Sequence, residues 1–123
     1  MTNRPALILA ALASVMGAAG VALAALATHE NGGDLAHTAA LFLILHAAAT
    51  LAVATHARFA RAGALVVVGF VMAAGATVFA ADLARSAFFG ARLFPYAAPI
   101  GGSTMIVAWA ALAIVFAVAA ARR

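Results

Sequence analysis

Residues 35–57, LAHTAALFLILHAAATLAVATHA, decide the fold, because this run holds no acidic residue, lysine or arginine. A helix of roughly 20 mostly apolar residues spans the ~30 Å hydrocarbon core of a bilayer, since each residue rises ~1.5 Å. Strands of a membrane β-barrel are about 10 residues long and alternate in polarity, and this run does not. It therefore predicts a transmembrane helix.

Three further runs of this kind flank the first, at about residues 5–28, 63–81 and 100–121. The 123-residue chain is 68% hydrophobic and only 8% charged, whereas about a quarter of the residues in a soluble domain are charged. We therefore expect residues 1–123 to form one all-α transmembrane domain, an alanine-rich four-helix bundle, which excludes a soluble enzyme. The absence of cysteine excludes disulfides, thiolate metal sites and cysteine nucleophiles.

The first run has an alternative interpretation as a cleavable signal peptide, because Arg4 precedes an apolar stretch that ends in Ala25-Leu26-Ala27. A signal core is about 7–15 residues long, and this stretch is longer. We expect it to be retained as the first span.

Arginines are distributed unequally between the two sides of the predicted bundle. The side that holds both termini carries five, namely Arg4, Arg58, Arg61, Arg122 and Arg123. The other side carries Arg85 and Arg92 with all three acids, Glu30, Asp34 and Asp82. The positive-inside rule therefore predicts cytoplasmic termini in a multi-pass protein of the cell inner membrane. The net charge of +4 is then a topology signal, so the lipid bilayer is the expected partner and nucleic acid is not.

Residues 83–99 form the longest predicted connection and combine arginines with four aromatic rings, which are Phe88, Phe89, Phe94 and Tyr96. Such a composition favours the headgroup layer, so we expect an interfacial aromatic segment between helices 3 and 4. A lid over an opening between helices is the alternative. Pro95 and Pro99 are expected to end any helix here, Gly101-Gly102 to turn the chain, and Asp82 to pair with Arg85.

His46 is the most informative polar residue, because it lies near the middle of the second predicted span. An ionisable side chain at that depth is a functional candidate unless it is paired inside the bundle. Thr50 follows one turn later on the same helical face and is expected to help satisfy the ring. The alternatives are a neutral histidine that joins helices and a site for a proton or ligand.

The remaining histidines give weaker signals. A divalent ion such as zinc or copper has four weak candidate ligands near the first loop, which are His29, His37, Glu30 and Asp34. Haem would require Met72 or Met105 opposite His46. His56 is interpreted as a headgroup residue beside Arg58. No cofactor is expected, and Ser14, Ser86 and Ser103 have no adjacent base, so no catalytic residue is predicted.

Small residues are spaced for close helix packing. The pairs of small residues that lie four positions apart are Ala13 with Gly17, Gly20 with Ala24 and Ala76 with Ala80. Gly69 and Gly75 are further positions for close helix contact. Because helices in lipid associate through close backbone approach at small residues, this pattern predicts a tight bundle without a pore.

Four stretches together resemble the small four-span membrane family DUF423, the YgdD-like proteins, which are related to eukaryotic transmembrane protein 256. Residues 26–29 (LATH) resemble the family's GAFGAH ending, and residues 45–47 (LHA) resemble its YHALALL stretch. Residues 79–83 (FAADL) are similar to FSG-x-L, and residues 98–102 (APIGG) with 108–109 (AW) to P-x-GG…GW. Alanines and leucines replace several glycines and aromatic residues, as expected for a divergent member. The resemblance implies a four-helix membrane protein of no established activity, with His29 and His46 at matching positions.

Two functional hypotheses follow. The first is a non-enzymatic scaffold or accessory subunit that acts through helix contacts with another membrane protein or with itself. The second is a binding or transport module in which His46, with His29 and Thr50 as further candidates, handles a metal ion, a proton, or a small apolar ligand such as a quinone or haem.

Overall fold

The computed structural model describes residues 3–60 and 62–123, and the regular secondary structure in both ranges is α-helix. The helices are α1 (Arg4–His29), α2 (Gly33–Ala60), α3 (Gly63–Phe89) and α4 (Ala97–Ala121). All four are long and apolar enough to cross a membrane. The predicted all-α membrane bundle of four helices is thereby confirmed, while Arg61, which contributes to the arginine asymmetry, lies outside the described residues.

Short connections join consecutive helices, which pack side by side in the orders α1–α2, α2–α3 and α3–α4. Neighbours joined by such connections run antiparallel, so α2 and α4 run parallel and end at the same side of the bundle. The turns depend on left-handed backbone at Asn31, with a φ of 55°, and at Gly90 and Tyr96, with φ of 66° and 65°.

The bundle is open on the side of α4. Within the described ranges, no Cα atom of α4 lies within 8 Å of a Cα atom of α1 or α2. The backbone of α4 therefore packs on α3 alone, and side chains must bridge the wider gap between α2 and α4.

Glycines set the closest helix approaches, as the spacing of small residues predicts. A Cβ atom at Gly20 would meet Ile44 of α2 at 2.6 Å, and one at Gly69 would overlap Leu9 of α1. Gly75 of α3 faces Gly101 of α4, where backbone meets backbone. Each of these contacts depends on the missing side chain.

The structure corrects three local expectations between α3 and α4. Helix α3 continues to Phe89, well past Asp82, so only residues 90–96 form the connection. Pro99 does not end a helix but occupies the first turn of α4, where its missing N–H group leaves no helical bond unmade. Gly101 and Gly102 lie inside α4 and form no turn. The headgroup location of the aromatic segment stays a prediction.

Candidate functional site

His46 lies midway along α2 and is 6% exposed. Its Nδ1 atom is 2.7 Å from the backbone carbonyl oxygen of Phe42, one turn earlier on the helix. A carbonyl oxygen has two lone pairs, so this group accepts the ring N–H in addition to its helical bond. The ring is thereby held against its own helix.

The second ring nitrogen of His46 is bonded to α4. Trp109 donates its Nε1–H to Nε2 of His46 over 3.1 Å. Because an indole N–H is only a donor, Nε2 must be unprotonated, and the proton of a neutral imidazole then resides on Nδ1. The two bonds thus select one neutral tautomer and occupy both nitrogen atoms.

Aromatic rings extend this arrangement to a third helix, and we call Phe42, His46, Phe79 and Trp109 the His46 cluster. Phe42 stacks on His46 with ring centroids 5.9 Å apart, and Phe79 of α3 tilts against Phe42 at 5.0 Å. Trp109 meets the histidine ring edge-on at 6.1 Å. The cluster connects α2, α3 and α4 across the gap that the backbones leave open. A metal ion or proton could reach Nε2 only after the indole moves away.

Thr50 is fully buried, at 0% exposure, but does not contact the ring nitrogens of His46 through a hydrogen bond. Within residues 3–60 and 62–123, its hydroxyl oxygen has no hydrogen-bond partner. Thr50 therefore lies in the core but does not supply the hydrogen bond to His46 that its one-turn spacing predicts. The indole of Trp109 supplies a hydrogen bond to the ring instead.

The weak metal candidates lie around the first loop. His29 ends α1, Asp34 and His37 begin α2, and Glu30 lies between the helices; all four side chains are exposed. In the part of the chain that the structure describes, no group of three or more His, Cys, Asp or Glu side chains could hold a metal ion. His56 is also exposed, and its ring meets Phe116 edge-on at 5.2 Å.

A second polar site, which we call the Asp82 clasp, joins the end of α3 to the connection that follows it. Asp82 is 0% exposed, and its two carboxylate oxygens accept the backbone N–H of Leu93 at 2.8 Å and a guanidinium N–H of Arg92 at 2.9 Å. The expected pairing of Asp82 with Arg85 is wrong. Arg85 instead donates its Nε–H to the carbonyl oxygen of Arg92 at 3.2 Å. Both arginines therefore hold the connection against α3.

Local sequence patterns do not predict two partners that the structure shows, Trp109 of His46 and Arg92 of Asp82. Trp109 is the chain's one tryptophan, and the N–H donor of its ring is a usable signal, because a buried indole N–H usually has a hydrogen-bond acceptor. The signal for Arg92 is Asp82 itself, since a carboxylate inside a membrane helix requires a positively charged partner. Neither partner lies within one helical turn of the residue that it contacts.

The bond between His46 and Trp109 is tested by a double-mutant cycle. We expect His46→Leu and Trp109→Phe to be non-additive, with a coupling of about 0.6–1.7 kcal/mol, as for hydrogen bonds between membrane helices. SDS titration of the purified protein in mixed micelles measures the free energy of unfolding. His46→Leu should also change the fluorescence emission of Trp109, whereas the matched control His37→Leu should not. Additive free energies would contradict the bond.

The comparisons with known proteins bear on this geometry. A family model described as "Protein of unknown function (DUF423)" matches residues 16–102, well over half of the chain. This range contains His29, His46 and the Asp82 clasp and ends before Trp109. Comparison with curated proteins and with solved structures gives no match to the chain.

Proposed function

The chain belongs to the DUF423 family, and from this premise we propose that it is a non-enzymatic accessory subunit that binds a transmembrane helix of another membrane protein. The observation that carries the proposal is that the buried titratable side chains His46 and Asp82 are both hydrogen-bonded within the chain. His46 joins α2 to α4, and Asp82 holds the connection between α3 and α4. Buried titratable groups that are engaged in this way stabilise a scaffold.

A groove between α1 and α3 supplies the surface for the partner. It encloses about 470 Å³, and its lining is almost entirely apolar. The residues on its walls are Leu12, Val15, Met16, Ala19, Leu43, Phe70, Ala73, Ala74, Thr77 and Val78. These positions fall in the middle of α1, α2 and α3, at the depth of the hydrocarbon core.

The chemistry of this α1/α3 groove favours a helix as its occupant. Ala73, Ala74 and Thr77 present small side chains on α3, and Ala19 does so on α1. Small residues permit the close backbone approach through which helices associate in lipid. Among the residues that the structure describes, those that line the groove carry no charge, so a charged soluble partner would gain nothing there.

The proposed orientation places both termini on the cytoplasmic side of the cell inner membrane. The start of α1 and the ends of α2 and α4 lie at one side of an antiparallel bundle, and the arginines of that side outnumber those of the other. This asymmetry supports the orientation through the positive-inside rule.

A groove-filling variant tests the proposal. We expect a stoichiometric membrane-protein partner to co-purify with the wild-type chain from its native membranes and to be lost with Ala74→Phe, because the phenyl ring occupies the space of the partner helix. The matched control is Ala110→Phe, since Ala110 is also an exposed alanine but lies on α4, outside the groove. A photo-crosslinker at Ala74 should link the chain to the same protein.

Three outcomes would contradict the proposal. Retention of the partner by Ala74→Phe would place its contact elsewhere, and equal loss with both variants would show a general packing defect. A crosslink at Ala74 only to a second copy, shown with two differently tagged chains, would make the protein a homo-oligomer.

A further inference from the structure

We infer that the α4 side of the bundle holds a binding site for an anionic phospholipid, with one acyl chain lying between α2 and α4. The backbones of these parallel helices do not approach each other closely, and a groove of about 350 Å³ remains between them. Its walls are formed by Ala49, Ala52 and Val53 of α2 and by Trp109, Leu112 and Phe116 of α4.

The α2/α4 groove continues towards the ends of both helices. His56 lines it at Phe116, and a second depression on α2 shares Ala52 and His56 and reaches Phe59. Trp109, bonded to His46 in the middle of α2, forms the inner end. The groove is therefore one apolar track from the middle of the bundle to its arginine-rich side.

The length of this track matches one leaflet of a bilayer. On α2 its lining residues run from Ala49 to Phe59, which is about 15 Å at a rise of ~1.5 Å per residue. Half of the hydrocarbon core is about 15 Å. An acyl chain from a single leaflet can thus lie along the groove with its headgroup at the helix ends.

Charge selects the headgroup. Arg58 follows His56 at the end of α2, and Arg122 and Arg123 follow α4 at the same side; all three are exposed. The acidic side chains lie towards the other side, in the first loop, at the start of α2 and late in α3. Arginines at the ends of membrane helices attract anionic headgroups, and their long side chains extend to the headgroup layer.

His56 gives the groove a polar mouth. Its ring contacts Phe116 edge-on and is exposed beside Arg58. A phosphate oxygen can accept an N–H bond from this imidazole while the arginines supply positive charge. The described residues that line the α1/α3 groove are almost all apolar, so the two grooves fit different occupants.

Lipid titration of the full chain in neutral detergent tests the site. We expect phosphatidylglycerol to bind more tightly than phosphatidylcholine with the same acyl chains, as counted by native mass spectrometry. Arg58→Gln should weaken binding of phosphatidylglycerol about fivefold, whereas the control Arg4→Gln, an arginine at the start of α1, should leave it unchanged. Ala52→Phe should weaken both lipids by blocking the groove, and Ala110→Phe should weaken neither.

Fluorescence of the wild-type chain gives a test that needs no variant. Because the chain has one tryptophan and it lines the groove, phosphatidylglycerol with brominated acyl chains should quench Trp109 more strongly than brominated phosphatidylcholine at equal mole fraction. Equal quenching by the two lipids would overturn the proposal, as would equal effects of Arg58→Gln and Arg4→Gln.

Two further outcomes would assign the groove to another occupant and overturn the proposal. Displacement of the lipid by glycerol phosphate alone would indicate a phosphate site, and a crosslink from Ala52 to a second copy would indicate a dimer contact. These outcomes are independent of Ala74, so the partner proposal stands or fails separately.

Discussion

Gly101→Ala is expected to destabilise the bundle by about 3 kcal/mol, the upper end of the usual range for overpacking. A Cβ atom at this position would lie 2.7 Å from the carbonyl oxygen of Gly75 and 2.7 Å from the backbone nitrogen of Phe79. Both atoms belong to the backbone of α3, which cannot rotate away as a side chain can. The substitution must therefore push α4 from the one helix that its backbone packs against.

Gly102→Ala is the matched control, on the next residue of the same helix. Its Cβ atom would meet the ring of Phe79 at 3.8 and 3.9 Å, which is ordinary contact. Replacing a helical glycine by alanine favours the helix by about 1 kcal/mol. We therefore expect Gly102→Ala to be neutral or stabilising, so that two adjacent substitutions have effects of opposite sign.

SDS titration measures both effects, and the fluorescence of Trp109 gives a structural readout. Because displacement of α4 separates Trp109 from His46, Gly101→Ala should change the emission of the folded protein and Gly102→Ala should not. Equal stabilisation by the two substitutions would mean that α3 and α4 are not in backbone contact at Gly75.

Sequence alone predicted the number and type of the helices, because the length of an uncharged apolar run is a local property. It placed the end of the third run at Ala81, since Asp82 and Arg85 interrupt the apolar pattern. The helix continues to Phe89 because the charge of Asp82 is satisfied by Arg92 and Leu93 from the next connection. Partners that lie outside α3 thus satisfy the charge that, in the sequence alone, indicates an end of the helix at Asp82.

The glycine pair 101–102 shows a second reason why local patterns are ambiguous. Glycine serves both in turns, where it permits positive φ, and in helix contacts, where its missing Cβ atom allows close approach. The turns in this region use Gly90 and Tyr96 instead. Only the position of α3 opposite Gly101 decides between the two roles.

For the candidate site, sequence patterns within one helix likewise predict one residue but not its partner on another helix. The central position of His46 in its helix predicted its burial, and the one-turn rule selected Thr50 as its helper. The bond to Trp109 crosses from α2 to α4, and no periodicity within one helix predicts such a partner. Sequence therefore identified the residue but not its connection.

Removal of Arg92, the more exposed partner of the Asp82 clasp, is expected to cost more stability than removal of the buried one. The side chain of Arg92 is 60% exposed, whereas that of Asp82 is 0% exposed. Arg92→Ala leaves a buried carboxylate that keeps only backbone N–H donors, such as that of Leu93, and leaving a buried charge without its charged partner costs about 3 kcal/mol.

Asp82→Ala removes the buried charge together with its hydrogen bonds. The arginine that remains is solvated, so we expect a smaller loss of about 1.5–3 kcal/mol, the usual contribution of a hydrogen bond to a charged group. In the double variant Asp82→Ala/Arg92→Ala, the loss should return to that of Asp82→Ala alone, because no buried charge is left. The control Arg4→Ala changes the net charge equally and should have little effect.

These four variants distinguish the clasp from a surface ion pair. A surface pair contributes about 0–1 kcal/mol and is weakened by salt, so small, additive and salt-sensitive losses would contradict the clasp. If Arg92→Ala lowers the free energy of unfolding more than the double variant does, the difference arises from the buried carboxylate of Asp82, which the double variant lacks. The measurement therefore decides whether the connection at residues 90–96 is fastened to α3 by a buried charge, which is the condition that lets α3 extend beyond its apolar run.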